Sequence, residues 1–152
     1  MRDPRFTFTL HRLVAVLDRH ADAILRRSMG ITYSQFLFLT HLAGEDGIDG
    51  ATLAHRLAVS RAAISKRLPW FEQRSLIAVR PDPDHGRRRR IHLTAQGRRL
   101  AENAADRLEE ALRQEAPERA DVDLDALHHD LHKLLRVLEP PPDPASDSHE
   151  PS

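Results

Sequence analysis

Residues 53–68 read Leu53-Ala54-His55-Arg56-Leu57-Ala58-Val59-Ser60-Arg61-Ala62-Ala63-Ile64-Ser65-Lys66-Arg67-Leu68, and this stretch decides the fold. Two short helices that cross closely need small residues at the crossing, a tight turn, and a branched apolar anchor in the second helix. Leu53, Ala54 and Leu57 form the inner face of the first helix, Ala58-Val59 makes the turn, and Ile64 with Leu68 returns to the core. Ser60 is placed to cap the second helix. The pattern predicts a helix-turn-helix, although the same spacing alone also suits an ordinary helical hairpin. Ser60, Arg61, Ala62, Ser65, Lys66 and Arg67 then lie at or beside the outward start of the second helix. There, small residues allow close approach, and the cations and hydroxyls can reach base edges or phosphates.

The residues that follow favour the nucleic-acid reading. Ile77-Ala78-Val79-Arg80 and Arg90-Ile91-His92-Leu93 alternate with period two around a loop holding Pro81, Pro83 and Gly86, which predicts a β-hairpin. Its second arm carries Arg87, Arg88, Arg89 and Arg90 in succession. Such an arm can lie along a phosphate backbone or place an arginine in a narrow minor groove. Thr94 caps a fifth helix expected to run to about Ala116 and to break at Pro117. A sixth helix, from about Val122 to Glu139, bears a stripe of Leu124, Leu127, Leu131, Leu134 or Leu135, and Leu138. The tail 140–152 holds five prolines among Asp, Ser and Glu and is expected to be disordered.

Upstream, Asp3-Pro4 offers an N-cap and a first-turn proline for a long first helix, with Leu10, Leu13, Val14, Leu17, Ala21, Ile24 and Leu25 on one face and Gly30 as its stop. Thr32-Tyr33-Ser34-Gln35 is a capping box opening a second helix, whose Phe36, Leu39, Leu42 and Ala43 face the core. Asp49 can cap the third. The fold class is mainly α with a small β-hairpin wing: a winged helix-turn-helix of six helices, dimeric because the leucine stripes at both ends need cover. Residues 31–97 form the winged domain, and 1–30 with 98–139 form a helical dimerisation region.

Charge is distributed in the way a local polyanion site demands. The 152 residues carry 23 basic and 23 acidic groups, yet residues 1–50 sum to 0, residues 51–100 to +9 and residues 101–152 to −9. The chain has no cysteine, which excludes disulfides, thiolate metal sites and a cysteine redox switch. No apolar run is long enough for a membrane span, and Met1 to Phe8 lacks the core of a signal peptide, so a soluble, cytoplasmic protein is expected. No phosphate-binding glycine loop, nucleophile elbow or framed carboxylate pair suggests an enzyme. His128 and His132 stand four apart and could share a zinc ion, but no third ligand is evident, so they read as solvated histidines and no cofactor is expected.

From Tyr33 to Leu100 the chain resembles the MarR family of bacterial regulators. The shared features are the capped second helix, the helix-turn-helix, the approach to the wing at Arg80-Pro81-Asp82-Pro83-Asp84, and Leu93-Thr94-Ala95-Gln96-Gly97 after it. Arg87 falls on the family's wing-tip arginine. The resemblance implies a homodimeric repressor that reads a pseudo-palindromic operator and interlocks through its first, fifth and sixth helices. It also implies release by a small aromatic or amphipathic acid held between the first, second and fifth helices, where Arg12, Phe36 and His41 are residues of the right type. The alternative is a winged-helix module whose basic face meets an acidic protein rather than double-stranded DNA. Three departures stand out. His85 and Gly86 replace the family's acidic residue and arginine, leaving Asp84 as the candidate partner of Arg87; Ser75 replaces a glycine after the recognition helix; and Pro69 lies inside that helix, predicting a bend near Ser65.

Overall fold

The computed structural model describes residues 5–45 and 47–139. Within them are six helices and three strands: α1 (Phe6–Met29), α2 (Tyr33–Ala43), β1 (Ile48–Asp49), α3 (Gly50–Arg56), α4 (Arg61–Glu72), β2 (Ile77–Pro81), β3 (Arg89–Leu93), α5 (Ala95–Ala120) and α6 (Leu124–Leu138). The expected Asp3-Pro4 cap and the 140–152 tail lie outside the described residues. The chain forms two compact units, Met1–Glu109 and Glu110–Ser152.

Local chemistry sets most of the boundaries. Gly30 stops α1 in the left-handed region at φ +68°, returning its N–H to the Arg26 carbonyl. The capping box of α2 is complete: Thr32 Oγ1 accepts from the Gln35 N–H at 3.0 Å and the Gln35 side chain accepts from the Thr32 N–H at 2.8 Å. Asp49 caps α3 by accepting from the Ala51 and Thr52 N–H groups, and Ser60 caps α4 by accepting from Ala63. Ala58 makes the sharp turn between α3 and α4 with φ +51°. α4 continues through Pro69, so the carbonyl of Ser65 loses its usual partner without ending the helix.

Two expectations need correction. Pro117 does not end α5, which runs on to Ala120; a proline withdraws one donor, but the turn comes at Asp121, with φ +48°. The wing is not a bare hairpin either. β1 pairs antiparallel with β3 at Ile48↔Ile91, giving a three-stranded sheet of order β1-β3-β2.

In the first unit, Phe38, Leu39, Leu42, Leu53, Ile64, Phe71, Leu76 and Ile91 form one buried cluster from α2, α3, α4 and the sheet. Phe38 and Phe71 stack with centroids 4.2 Å apart, locking α2 against α4. A second cluster of Leu25, Ile31, Phe36 and Ala104 holds the end of α1 to α2 and α5. Each large apolar side chain contributes about 1.5–3 kcal/mol when removed from water, so this burial stabilises the platform beneath α4. The rest of α1 is apolar but bare: Phe6 is 62% and Phe8 68% exposed, and Leu13, Val14, Val16 and Leu17 are exposed too. In the second unit α6 buries no residue, and Leu134, Leu135, Val137 and Leu138 are all exposed. Asp123 caps α6, and Arg113 donates to Asp125 at 2.9 Å.

Candidate nucleic-acid interface

α4 stands on the core through Ile64 and Phe71 and turns Arg61, Ala62, Ser65 and Lys66 outward. One flank of the helix, with the wing opposite, walls a groove of about 810 Å³ lined by Arg61, Ser65, Pro69 and Glu72 of α4 and by Arg87, Arg88 and Arg89. Helix and hairpin therefore share one cationic surface. Lys66 and Arg67 lie on the other flank, in a groove of about 510 Å³ with Ser34, Gln35, Trp70 and Phe71. Arg67 donates to the Ser34 hydroxyl at 3.3 Å, and Arg74 stands over Trp70 at 4.1 Å while donating to that residue's carbonyl. Ser60 Oγ accepts from the Ala63 N–H as the cap of α4, leaving its proton available outward.

The four consecutive arginines are not equivalent. Arg87, Arg88 and Arg89 are exposed. Arg90 instead donates through Nε to Asp82 at 3.0 Å and reaches the Gly47 carbonyl at 3.4 Å, tying the hairpin to the loop before β1. Asp82 is only 3% exposed. It also accepts from the Asp84 N–H, and that bond, followed by Arg90 and His85, holds its carboxyl below the ordinary range despite burial. The carboxylate that grips a wing arginine is thus Asp82, not Asp84, and the arginine is Arg90, not Arg87.

Sequence reasoning passes over the acidic and small residues of the groove. Asp49, Gly50, Ala51 and Thr52 at the start of α3 line it, as does Glu72. Asp49 is legible in the sequence only as a cap. The Thr52 hydroxyl and N–H, with Ala51 and the charge of Arg88 adding less, hold its carboxyl below the ordinary range, and it lines the same groove as Arg88. Of the residues considered for a small acid, Phe36 is buried in the second core cluster, His41 Nδ1 lies 2.8 Å from the Leu37 carbonyl, and Arg12 is exposed on α1. None of the three lines either groove. The His128 and His132 rings are 4.5 Å apart, and no group of three potential metal ligands occurs among the described residues. Nor is any described helix long and apolar enough to cross a membrane.

Residues 29–88 match the model of the MarR family. The transcriptional regulator HosA of Escherichia coli O111:H- is 26% identical over 90 residues, which span 59% of this chain and 67% of HosA. Among solved structures, the apo form of wild-type MarR from E. coli aligns with a TM-score of 0.78 at 21% identity, over 91% of this chain and 100% of that one. MepR, a transcription regulator of the Staphylococcus aureus multidrug efflux pump MepA, aligns with a TM-score of 0.68 at 22% identity, over 90% and 100%. A probable transcriptional regulator from Pseudomonas aeruginosa gives 0.64 at 25% identity, over 90% and 98%. Residues 29–88 are therefore similar to the MarR family, and the chain shares the winged helix-turn-helix fold of those solved structures.

Proposed function

We propose that the chain is a transcription regulator that binds a pseudo-palindromic operator in double-stranded DNA as a homodimer and represses by occupying promoter DNA. The observation that supports this reading best is the groove in which Arg61 and Ser65 of α4 face Arg87, Arg88 and Arg89 of the wing. Such a groove suits a backbone flanked by a base-reading helix and a phosphate-following arm. Arg61 and Ser65, with Ala62 and Lys66, would meet base edges, and the three wing arginines the backbone or the adjacent minor groove. Arg67 and Ser60 would contact phosphates at the margins. Arg90 has a different part, holding the wing's base through Asp82.

Pairing follows from surface economy. Bare Phe6, Phe8 and Val14 on α1 and Leu134, Leu135 and Leu138 on α6 need cover, and a second copy supplies it with the two-fold symmetry that an inverted repeat demands. Residues 1–30 and 98–139 are proposed as the pairing region and 31–97 as the reader; DNA as the target makes the cytoplasm the place of work.

Selection of duplexes from a random library, followed by titration between 50 and 200 mM salt, tests the reading. An inverted repeat with centres about 34 Å apart and a steep salt dependence are expected. Weak, sequence-indifferent binding would favour an acidic protein as the partner of the basic face and would overturn the proposal.

A further inference from the structure

The elbow between α1 and α2 holds a contact that the DNA-facing groove does not use. Most of α1 before Ala21 is exposed, whereas Ile24 and Leu25 are buried, so the core grips only the end of this helix. Asp22 sits at the junction. Its Oδ1 accepts from the backbone N–H of Tyr33, the first residue of α2, at 2.9 Å, and its Oδ2 accepts from Arg26 Nε at 2.6 Å. The N–H of Tyr33 is one of the four donors that a helix start leaves without an internal partner. Thr32 serves the donor of Gln35; a side chain from the preceding helix serves that of Tyr33. Arg26 first, and the Tyr33 N–H next, hold the Asp22 carboxyl below its ordinary range, so it is an anion near neutrality.

The covalent link across this elbow is permissive. It turns at Gly30, with φ +68° and open space where a Cβ would stand. The apolar packing of Leu25, Ile31 and Phe36 supplies attraction, but such contacts carry little directionality. A charge-assisted hydrogen bond from one helix to the start of the next is directional. We propose that Asp22 is a positioning residue that fixes the angle between α1 and the winged domain, and thereby the half-site spacing that the dimer accepts. The second half of that statement rests on the proposed pairing through α1; the first does not.

The test exploits the absence of cysteine from the sequence. Nitroxides on His11→Cys in α1 and His55→Cys in α3, both exposed positions, are placed on one chain diluted into excess unlabelled chain, and the distance distribution is measured. The parent should give a narrow distribution. Asp22→Ala should roughly double its width, Asp22→Asn should recover most but not all of the narrowness because its amide oxygen still accepts from Tyr33 without the charge, and Arg26→Ala should leave it narrow. In selection from duplexes with variable gaps, the parent should choose one spacing and Asp22→Ala several, with the half-site sequence unchanged. A distribution for folded Asp22→Ala as narrow as the parent's would overturn the proposal, as would a change in the half-site itself. A parent that selects single half-sites would refute the pairing, and the distance measurement would still decide the role of Asp22 at the elbow.

Discussion

Gly97 has no room for a side chain, since an added Cβ would stand 2.1 Å from the Leu76 carbonyl oxygen. That close approach explains the Leu93-Thr94-x-x-Gly97 pattern. The Thr94 N–H donates to the same carbonyl at 3.1 Å, and the Thr94 hydroxyl lies 2.7 Å from the Ser75 carbonyl while accepting from the Gly97 N–H. The sequence signals the motif but not its partner, because Leu76 is remote along the chain. Ser75 is half readable: where the family has glycine, a serine requires either a strained left-handed residue or a different cap, and its φ of +54° is the first of these. Gly97→Ala should cost about 1–3 kcal/mol through overpacking, whereas Ser75→Gly should gain up to about 1 kcal/mol by removing strain; urea unfolding of the two variants should therefore move in opposite directions. Asp82 yields a prediction in pH. Its carboxyl titrates below its unfolded value near 4, so its contribution to stability is present above that value and is lost as pH falls through the lower, folded one. Thermal melts of Asp82→Asn should fall below those of the parent at neutral pH and converge with them in strong acid.

At the scale of elements, capping chemistry carries most of the legibility. Thr32, Asp49, Ser60, Thr94 and Gly30 each mark a boundary by a short-range bond, and each does so in the structure. β1 is invisible in the sequence because two residues cannot display a period, and its pairing with β3 is a tertiary event. The division of labour among the arginines is equally hidden, since Arg87 to Arg90 look alike in sequence and only the fold brings Asp82 against Arg90. Arg87→Ala with Arg89→Ala should therefore weaken binding to all duplexes without altering base preference, and the salt slope should fall by about one unit for each phosphate no longer neutralised. Arg61→Ala should relax base preference as well. Equal binding by the wing double mutant, measured by fluorescence anisotropy across a salt series, would remove the wing from the interface.

For the whole molecule, the groove supplies chemistry and the bare apolar faces supply geometry. On the proposed pairing, a charge placed within such a face would strand an ion between the two copies. Leu135→Glu with Leu138→Glu should yield a monomer by sedimentation at micromolar concentration, with operator affinity reduced more than about tenfold through loss of the second reader. The same substitutions should barely change the melting of the winged domain, because α6 contributes no buried residue. The strand order β1-β3-β2 has a last consequence. Among the described residues it leaves the outer margin of β2 open, five residues of backbone able to recruit a strand from a neighbouring molecule. Arg80 and exposed Pro81 close its far end with a charge and a missing donor, two devices that blunt the lateral addition of a foreign strand.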